Sequence, residues 1–213
     1  MRWDNFRWPL LLLLAGLLSG CRVAGALSYK LLGPPPVDAL YNPRPVPMLV
    51  LVERYRSGGL LVNESETLAR QISRQLEAQN VAPQIDPLRA SELRAADPSG
   101  YAKLTISQIG SALGASQVLY VNLTEHSISA LDGAGLLSGA IGGTVKVVDV
   151  ATGKLLWPDE QTEGYPVRVE VAPVAGMQDS PEAFGARLTR QMALRVARLF
   201  HRWQPEDLSP REE

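Results

Sequence analysis

The sequence has few of the residues on which metalloenzymes and disulfide-bonded proteins depend. Its 213 residues include one cysteine, Cys21, and two histidines, His126 and His201. A single cysteine excludes an internal disulfide, and so few imidazoles and thiols leave too few ligands for a typical zinc site. The longest apolar run, residues 9–18, is shorter than the about 20 residues that a membrane-spanning helix needs. We therefore predict no transmembrane helix, no metal and no cofactor.

The first 20 residues have the layout of a secretory signal. Arg2 and Arg7 precede the apolar run, and Ser19 and Gly20 are small. The stretch LSGC, residues 18–21, resembles the bacterial lipobox, in which the cysteine receives diacylglycerol and the chain is cut before it. This resemblance implies a signal peptide at 1–20 and a mature chain anchored through acyl groups on Cys21. The alternative is an ordinary signal peptide with a cysteine nearby.

The residue after Cys21 bears on the membrane to which the chain belongs. In the lipobox pattern an Asp at that place favours retention at the inner membrane, and here the residue is Arg22. The resemblance therefore implies a lipid-anchored protein of the cell envelope, on the periplasmic side of the outer membrane. Removal of residues 1–20 changes the net charge from −1 to −2, a balance that gives no reason to expect nucleic acid as a partner.

The mature chain divides into three parts by composition. Residues 21–47 contain the stretch GPPPVDALYNPRPVP, and the density of proline predicts an extended spacer between lipid and domain. Residues 48–204 suit one domain with its own core. Residues 205–213 are a charged tail.

The apolar pattern of residues 48–204 predicts an α/β domain with an α+β tendency. We expect a mixed sheet of about five or six strands, with helices packed on it. The predicted order is strand, helix, strand, helix, strand, followed by a three-stranded meander and a long C-terminal helix. Predicted strands are 48–52, 81–86 (weak, at an edge), 117–123, 144–150, 154–157 and 165–171. Four helices are predicted: one capped by Asn63 with Glu66, a short one at 91–96, one at 101–113, and a last one capped by Ser180. The residues of the last helix that we expect to face the core are Phe184, Leu188, Met192, Val196, Leu199, Phe200 and Trp203.

Two stretches carry a family resemblance. IGSALGASQVLYVNLTEHSIS (109–129) and TVKVVDVATGKLLW (144–157) resemble a domain shared by the curli secretion channel family and the amino-terminal domain of TolB. They are also similar to the lipoprotein activators of peptidoglycan synthases. The resemblance implies a periplasmic, usually lipid-anchored domain that binds other envelope proteins and is not an enzyme. A subunit of an oligomeric export channel, hence a possible homo-oligomer, and an envelope hydrolase are the alternatives.

The channel alternative is disfavoured at this point. A transmembrane barrel strand needs about 9 to 11 residues, and every strong strand in the sequence is needed for the core sheet.

The glycine-rich stretch LDGAGLLSGAIGG, residues 131–143, has no regular periodicity. We interpret it as a long loop between strands, with three alternatives left open. It is a plain connection, a nest of amides that binds an anion, or a flexible apolar surface for a partner or the membrane. The side chains proposed for that contact are Leu131, Leu136, Leu137 and Ile141.

The remaining polar candidates have ordinary interpretations. His126 and His201 are interpreted as surface histidines, because no G-x-S-x-G motif supports a catalytic triad. Asp159, Glu160 and Glu163 follow Trp157-Pro158 and are interpreted as a solvated turn rather than an acid–base pair. The last helix carries a row of arginines that is interpreted as its wet side, with phospholipid headgroups or an acidic partner as the alternative. These are Arg187, Arg190, Arg195, Arg198 and Arg202.

Overall fold

The computed structural model describes residues 34–54, 62–131, 136–159, 162–172 and 180–205. The chain divides into two compact units, residues 39–201 and the two terminal segments, 1–38 with 202–213. In the described part of the terminal unit, Val37 pairs with Trp203 in an antiparallel bridge, and Arg202 lies 3.4 Å from the carboxylate of Asp38.

The larger unit contains a six-stranded mixed sheet. The strands are β1 (Met48–Arg54), β2 (Gln84–Ile85), β3 (Gln117–Leu131), β4 (Leu136–Asp149), β5 (Leu155–Trp157) and β6 (Tyr165–Val171). Their order is β2-β1-β3-β4-β5, and β6 also pairs with β4. The β1 strand is parallel to β2 and β3, and the other pairs are antiparallel.

Five helices pack on the sheet in the described residues. They are α1 (Val62–Ala78), α2 (Leu88–Ala96), α3 (Pro98–Tyr101), α4 (Ile106–Ala112) and α5 (Pro181–Ala197). Apolar residues of α1 and α5 cover one face of the sheet, and those of α2, α3 and α4 cover part of the other. The centre of β1 is buried on both faces, which explains its unbroken apolar sequence.

The predicted fold class is confirmed: an α/β domain with a mixed six-stranded sheet and a long C-terminal helix. Three details differ. The α1 helix begins at Val62, so Asn63 lies inside it rather than before it. The helix predicted at 101–113 is two helices, because Thr105 and Gln108 form a reciprocal capping box that starts α4. The predicted meander is also wrong in its order, because β5 and β6 both pair with β4.

The last part of the predicted spacer belongs to the larger unit. From Ala39 onwards the chain is included in its contacts, and the amides of Leu40 and Tyr41 donate to the carbonyl oxygen of Leu199, at 2.8 and 3.1 Å. Tyr41 stacks on Trp157 with ring centroids 6.1 Å apart. Residues 39–47 are therefore packed on the domain. The predicted signal peptide at 1–20, the first part of the predicted spacer, residues 21–33, and most of the predicted tail, residues 206–213, lie outside the described residues.

Candidate partner-binding surface

The glycine-rich stretch is mostly β-strand, and the predicted loop is wrong. Strands β3 and β4 have 15 and 14 residues and form one antiparallel hairpin. Its register runs from Gln117–Asp149 at one end to Leu131–Leu136 at the other, with an irregularity between Leu123 and Glu125. We call residues 124–131 and 136–143 the distal hairpin, since this half extends beyond the pairing of β3 with β1, which ends at Leu123.

Close helix packing explains one glycine of this stretch. A Cβ atom placed on Gly139 would lie 2.8 Å from Cε1 of Phe184 and 2.7 Å from the carbonyl oxygen of Ser127. Both distances are shorter than real carbon contacts, so only glycine admits the first turn of α5 this close to β4. The residue is conformationally ordinary and is needed for space rather than for flexibility.

Gly142 has a different role, because it lies between two charged residues in one row of the sheet. It pairs with Glu125 on β3 and with Arg168 on β6. Arg168 donates to both carboxylate oxygens of Glu125, at 2.8 and 3.1 Å, and also to Glu170. The guanidinium lowers the pKa of Glu125. A glycine in the middle strand leaves room for this bidentate pair, which connects the two outer strands.

The other face of the distal hairpin is tied to α1 and α5. Nε2 of His126 lies 3.4 Å from Oε2 of Glu64, in the first turn of α1. Ile128 packs against the main core, and its Cδ1 would be 3.4 Å from a Cβ placed on Gly185. The side chain of His126 is 12% exposed and has a carboxylate neighbour. Its predicted role as an ordinary histidine stays a prediction.

The four predicted contact residues lie in different environments. Ile141 is 2% exposed and belongs to the main core, so it is not available to a partner. Leu136 and Leu137 are partly buried on β4. Leu131 pairs with Leu136 through its backbone, and its side chain, like residues 132–135, lies outside the described residues.

The outer edge of β3 in the distal hairpin is open to pairing. Among the described residues no strand pairs with this edge beyond Leu123. The edge sequence TEHSISAL contains one carboxylate, no lysine and no proline. The outer edge of β6 is different, since it carries Pro166 and the exposed side chains of Arg168 and Glu170. Proline and charge are the features by which edge strands resist pairing, and the edge of β3 has few of them.

A polar cluster that the sequence did not indicate lies between the carboxyl end of β1 and the proximal half of β3. Oε1 of Glu53 accepts hydrogen bonds from Arg94 and from the hydroxyl of Tyr101, both at 3.2 Å. Oε2 accepts from the hydroxyl of Tyr120 at 3.3 Å. Arg94 also lies over the Tyr101 ring, 4.6 Å from its centroid. We call these four residues the Glu53 cluster. No local motif signals it, because its members are distant in sequence.

The Glu53 cluster is arranged to hold α2 and α3 on the sheet. Burial, followed by the charge of Glu53, raises the pKa of Tyr120 and that of Tyr101. Both phenols therefore stay protonated at neutral pH and donate to the carboxylate. The adjoining cavity is about 20 Å³, which is the size for about one water molecule. This geometry fastens helices and offers no room for a substrate.

A larger open groove, about 260 Å³, lies between α4 and the β4–β5 hairpin. It is lined by small hydroxyl side chains, aliphatic residues and the amine of Lys146. This amine lies 5.3 Å from the ring centroid of Tyr120.

The predicted acidic turn is solvated, and the described part of the chain holds no group of three His, Cys, Asp or Glu side chains that could bind a metal ion. Asp159 and Glu163 are exposed, and Glu160 lies outside the described residues.

The arginine row follows the outer side of α5. Arg190 and Arg195 are exposed, Arg187 and Arg198 are partly buried, and the guanidinium of Arg187 lies 5.1 Å from the ring centroid of Phe184. Arg202 belongs to the terminal unit.

The other residues that the sequence singled out lie near the chain ends. His201 follows α5 and is partly exposed. Cys21 lies outside the described residues, and none of the described helices is long and apolar enough to cross a bilayer.

Comparison with known proteins identifies solved structures of similar fold, but no match by sequence. No protein-family model matches the chain, and no curated protein sequence matches it. Lipoprotein GNA1162 of Neisseria meningitidis is 16% identical with a TM-score of 0.45, over 72% of this chain and 99% of that one. The PelC dodecamer of Paraburkholderia phytofirmans is 14% identical with a TM-score of 0.40, over 73% and 87%.

The C-terminal domain of LpoB from Salmonella enterica is also similar, at 18% identity and a TM-score of 0.35, over 68% of this chain and 93% of that domain. LpoB is a peptidoglycan synthase activator lipoprotein, which is one of the groups that the sequence resembles.

Proposed function

We propose that the chain is a lipid-anchored protein of the cell envelope that binds another envelope protein through the distal hairpin and carries out no reaction of its own. The observation that carries the proposal is the outer edge of β3, which has no paired strand among the described residues. An extended segment of a partner adds to such an edge by main-chain hydrogen bonds.

The lipid anchor is supported by the sequence alone. LSGC at residues 18–21 contains the only thiol of the chain, at the place where the lipobox requires one. Each buried methylene contributes about 0.8 kcal/mol, so two or three acyl chains hold a protein on a membrane durably. Arg22 favours the outer membrane, on its periplasmic side.

The position of the hairpin suits a protein held at the opposite end. Residues 39–47, which follow the anchor segment, lie at the start of β1, where the amide of Gln117 donates to the carbonyl oxygen of Pro47 at 3.2 Å. The 15 residues of β3 lead from Gln117 to the far end of the sheet, a distance of about 46 Å at the usual rise of a strand. Residues 124–131 therefore lie at the end of β3 that is away from Pro47.

The proposal of a non-enzymatic role is supported by the two cavities described above. The larger is lined by hydroxyl and aliphatic groups with one amine, and the smaller is lined in part by Arg94, which already donates a hydrogen bond to Glu53. Neither brings together a nucleophile and a base at hydrogen-bonding distance, the arrangement on which hydrolysis depends.

Photo-crosslinking in cells tests the binding surface. A photoreactive residue replaces Ser127 or Ser129, which are exposed on β3, or replaces Ala102, an exposed control residue between α3 and α4. We expect one discrete adduct with a second protein from positions 127 and 129 and none from position 102. Ser127→Lys and Ser129→Lys should reduce the adduct from the neighbouring position, because charge protects an edge. Equal crosslinking from all three positions contradicts the proposal.

The length of the hairpin favours a second candidate, a subunit of an oligomeric export channel. A pore was disfavoured because every strong strand was assigned to the core sheet, but β3 continues from residue 124 to residue 131, beyond its pairing with β1. Sizing of the lipidated protein in detergent separates the candidates. A stable ring of many copies supports the channel, and a monomer with a captured heterologous partner supports the proposed adaptor.

A further inference from the structure

We infer that the outer side of α5 lies on an anionic phospholipid surface, with Leu40 beside it entering the headgroup region. This inference rests on the proposed lipid anchor at Cys21 and concerns a surface different from the distal hairpin. The occupant is the membrane that holds the acyl chains, bound through the phosphate groups of anionic lipids.

After its first turn, the charged side chains of α5 are all basic. Its only acidic residue is Glu182, in the first turn, and the outer side after that turn carries Arg187, Arg190 and Arg195, followed by Arg198 at the C-cap. In the described part of the chain neither Arg190 nor Arg195 has a carboxylate partner. Guanidinium groups bind phosphate oxygens in a bidentate manner, and an anionic lipid layer attracts basic side chains.

The anchor segment brings the membrane to this helix. The chain enters the larger unit at Ala39, and the amide of Leu40 is bonded to Leu199, just past the end of α5. Residues 22–38 separate Ala39 from the lipidated cysteine, and 17 residues span at most about 60 Å. The helix itself, with 17 residues, is about 25 Å long. The segment is therefore long enough for α5 to lie flat on the bilayer.

An exposed apolar side chain marks the same end. Leu40 is 55% exposed, and among the described residues the one other exposed large hydrophobic side chain is Val37, at 40%. An apolar residue next to a row of arginines is the composition of surfaces that bind the membrane interface. An acidic protein would satisfy the arginines, but it would leave Leu40 unexplained. Phospholipid satisfies both features.

The test uses the processed, lipidated protein in vesicles. Because Cys21 is the only cysteine and its sulfur is alkylated in the lipidated form, an introduced cysteine is the sole free thiol. A fluorophore is attached at Ala186→Cys, exposed on the outer side of α5, or at Ala102→Cys as control. Vesicles contain a headgroup-linked quencher, in either phosphatidylglycerol with phosphatidylethanolamine or phosphatidylcholine alone.

We expect strong quenching at position 186 on the anionic vesicles, its loss at high salt or on phosphatidylcholine, and weak quenching at position 102 throughout. Arg190→Ala and Arg195→Ala should each weaken the docked state about fivefold. The matched variants Lys103→Ala and Lys154→Ala, which remove the same charge from exposed positions elsewhere, should change it little. Equal quenching of positions 186 and 102 on both lipids, or equal effects of all four substitutions, overturns the inference.

The outcomes separate this inference from the anchor. A protein that washes off both kinds of vesicle has no lipid on Cys21, which contradicts the anchor. A protein that stays on the vesicles without selective quenching has an anchor but no docked helix. Suppression of the quenching only by an added acidic protein assigns the arginines to that protein instead and also overturns the inference.

Discussion

The two halves of β3 belong to one strand but have opposite environments. From Gln117 to Leu123 the strand pairs with β1 and β4, and four of its residues are apolar and at most 4% exposed, namely Val118, Leu119, Val121 and Leu123. From residue 124 to 131 it pairs only with β4 among the described residues, and Ser127, Ser129 and Ala130 are exposed. The proximal half stabilises the fold, and in the proposed function the distal half is the part that binds a partner.

The largest difference between the halves should appear on truncation of their side chains. Leu119 is fully buried in the main core, so Leu119→Ala should lower the free energy of unfolding by about 2–5 kcal/mol. The control Leu137→Ala, on the partly buried part of β4, should cost about 1 kcal/mol. Urea unfolding followed by circular dichroism measures both. Equal costs would contradict the comparison.

A smaller effect is expected where α5 meets the distal hairpin. Gly139→Ala places a methyl group against Phe184 and the Ser127 carbonyl, so it should destabilise the protein by about 1–3 kcal/mol. At Gly142 the nearest atoms to such a methyl group are 3.3–3.4 Å away, and Gly142→Ala should cost less than half as much. If Gly139→Ala is neutral in thermal unfolding, α5 does not pack on the hairpin as described.

The Glu53 cluster gives a pH dependence that belongs to the proximal half. The pKa of Tyr120 is raised above its ordinary value of 10.0 by burial and by Glu53. A raised pKa means that the folded state keeps the proton more tightly, so this contribution is complete below pH 10 and is lost as pH rises further. Tyr120→Phe should cost about 1 kcal/mol at pH 7 and should flatten the decline above pH 10. An unchanged alkaline slope in urea unfolding would contradict this assignment.

The smallest expected effect concerns the turn after β4. Hydrogen bonds from the Thr152 hydroxyl and amide, and then from Arg44, lower the pKa of Asp149 from 3.8 to about 2. A lowered pKa stabilises the folded state above pH 3.8, and the stabilisation is lost as pH falls through about 2. Asp149→Asn should therefore reduce the acid dependence of the melting temperature between pH 4 and 2. Glu163→Gln, at an exposed position, serves as control, and identical curves for both variants would remove this explanation.

The proximal half could be predicted from the sequence because burial on both faces produces a nearly continuous apolar run. QVLYVNL therefore identifies a central strand. The distal half could not be predicted, since its glycines serve close contacts with Phe184 and with the Glu125–Arg168 pair. Glycine chosen for space and glycine chosen for turns have the same appearance in a sequence.

For the helices and the polar sites too, local sequence signals could be predicted, whereas features that depend on tertiary contacts could not. Short-range signals such as the Ser180 cap and the buried stripe of Phe184, Leu188, Met192 and Val196 were predicted correctly. Trp203, which was predicted to face the core, is partly exposed and belongs to the terminal unit. The capping box that starts α4 at Thr105 was missed within a longer apolar pattern. Glu53, Arg94 and Tyr101 meet only through the sheet topology, which a single sequence does not reveal. Arg187, Arg190 and Arg198 were recognised as a row, but their relation to the anchor segment depends on the contact of Leu40 with Leu199.

Residue-resolved hydrogen exchange of β3 in the mature protein is the most direct test of its two halves. Buried, doubly paired amides from Gln117 to Leu123 should all exchange slowly. From Glu125 to Leu131 the amides should alternate, those that bond to β4 exchanging slowly and those on the outer edge exchanging fast. Uniformly fast exchange beyond Leu123 would mean that the distal hairpin is a loop, and uniformly slow exchange would mean that its edge is already covered; either result would contradict a strand that is open to a partner.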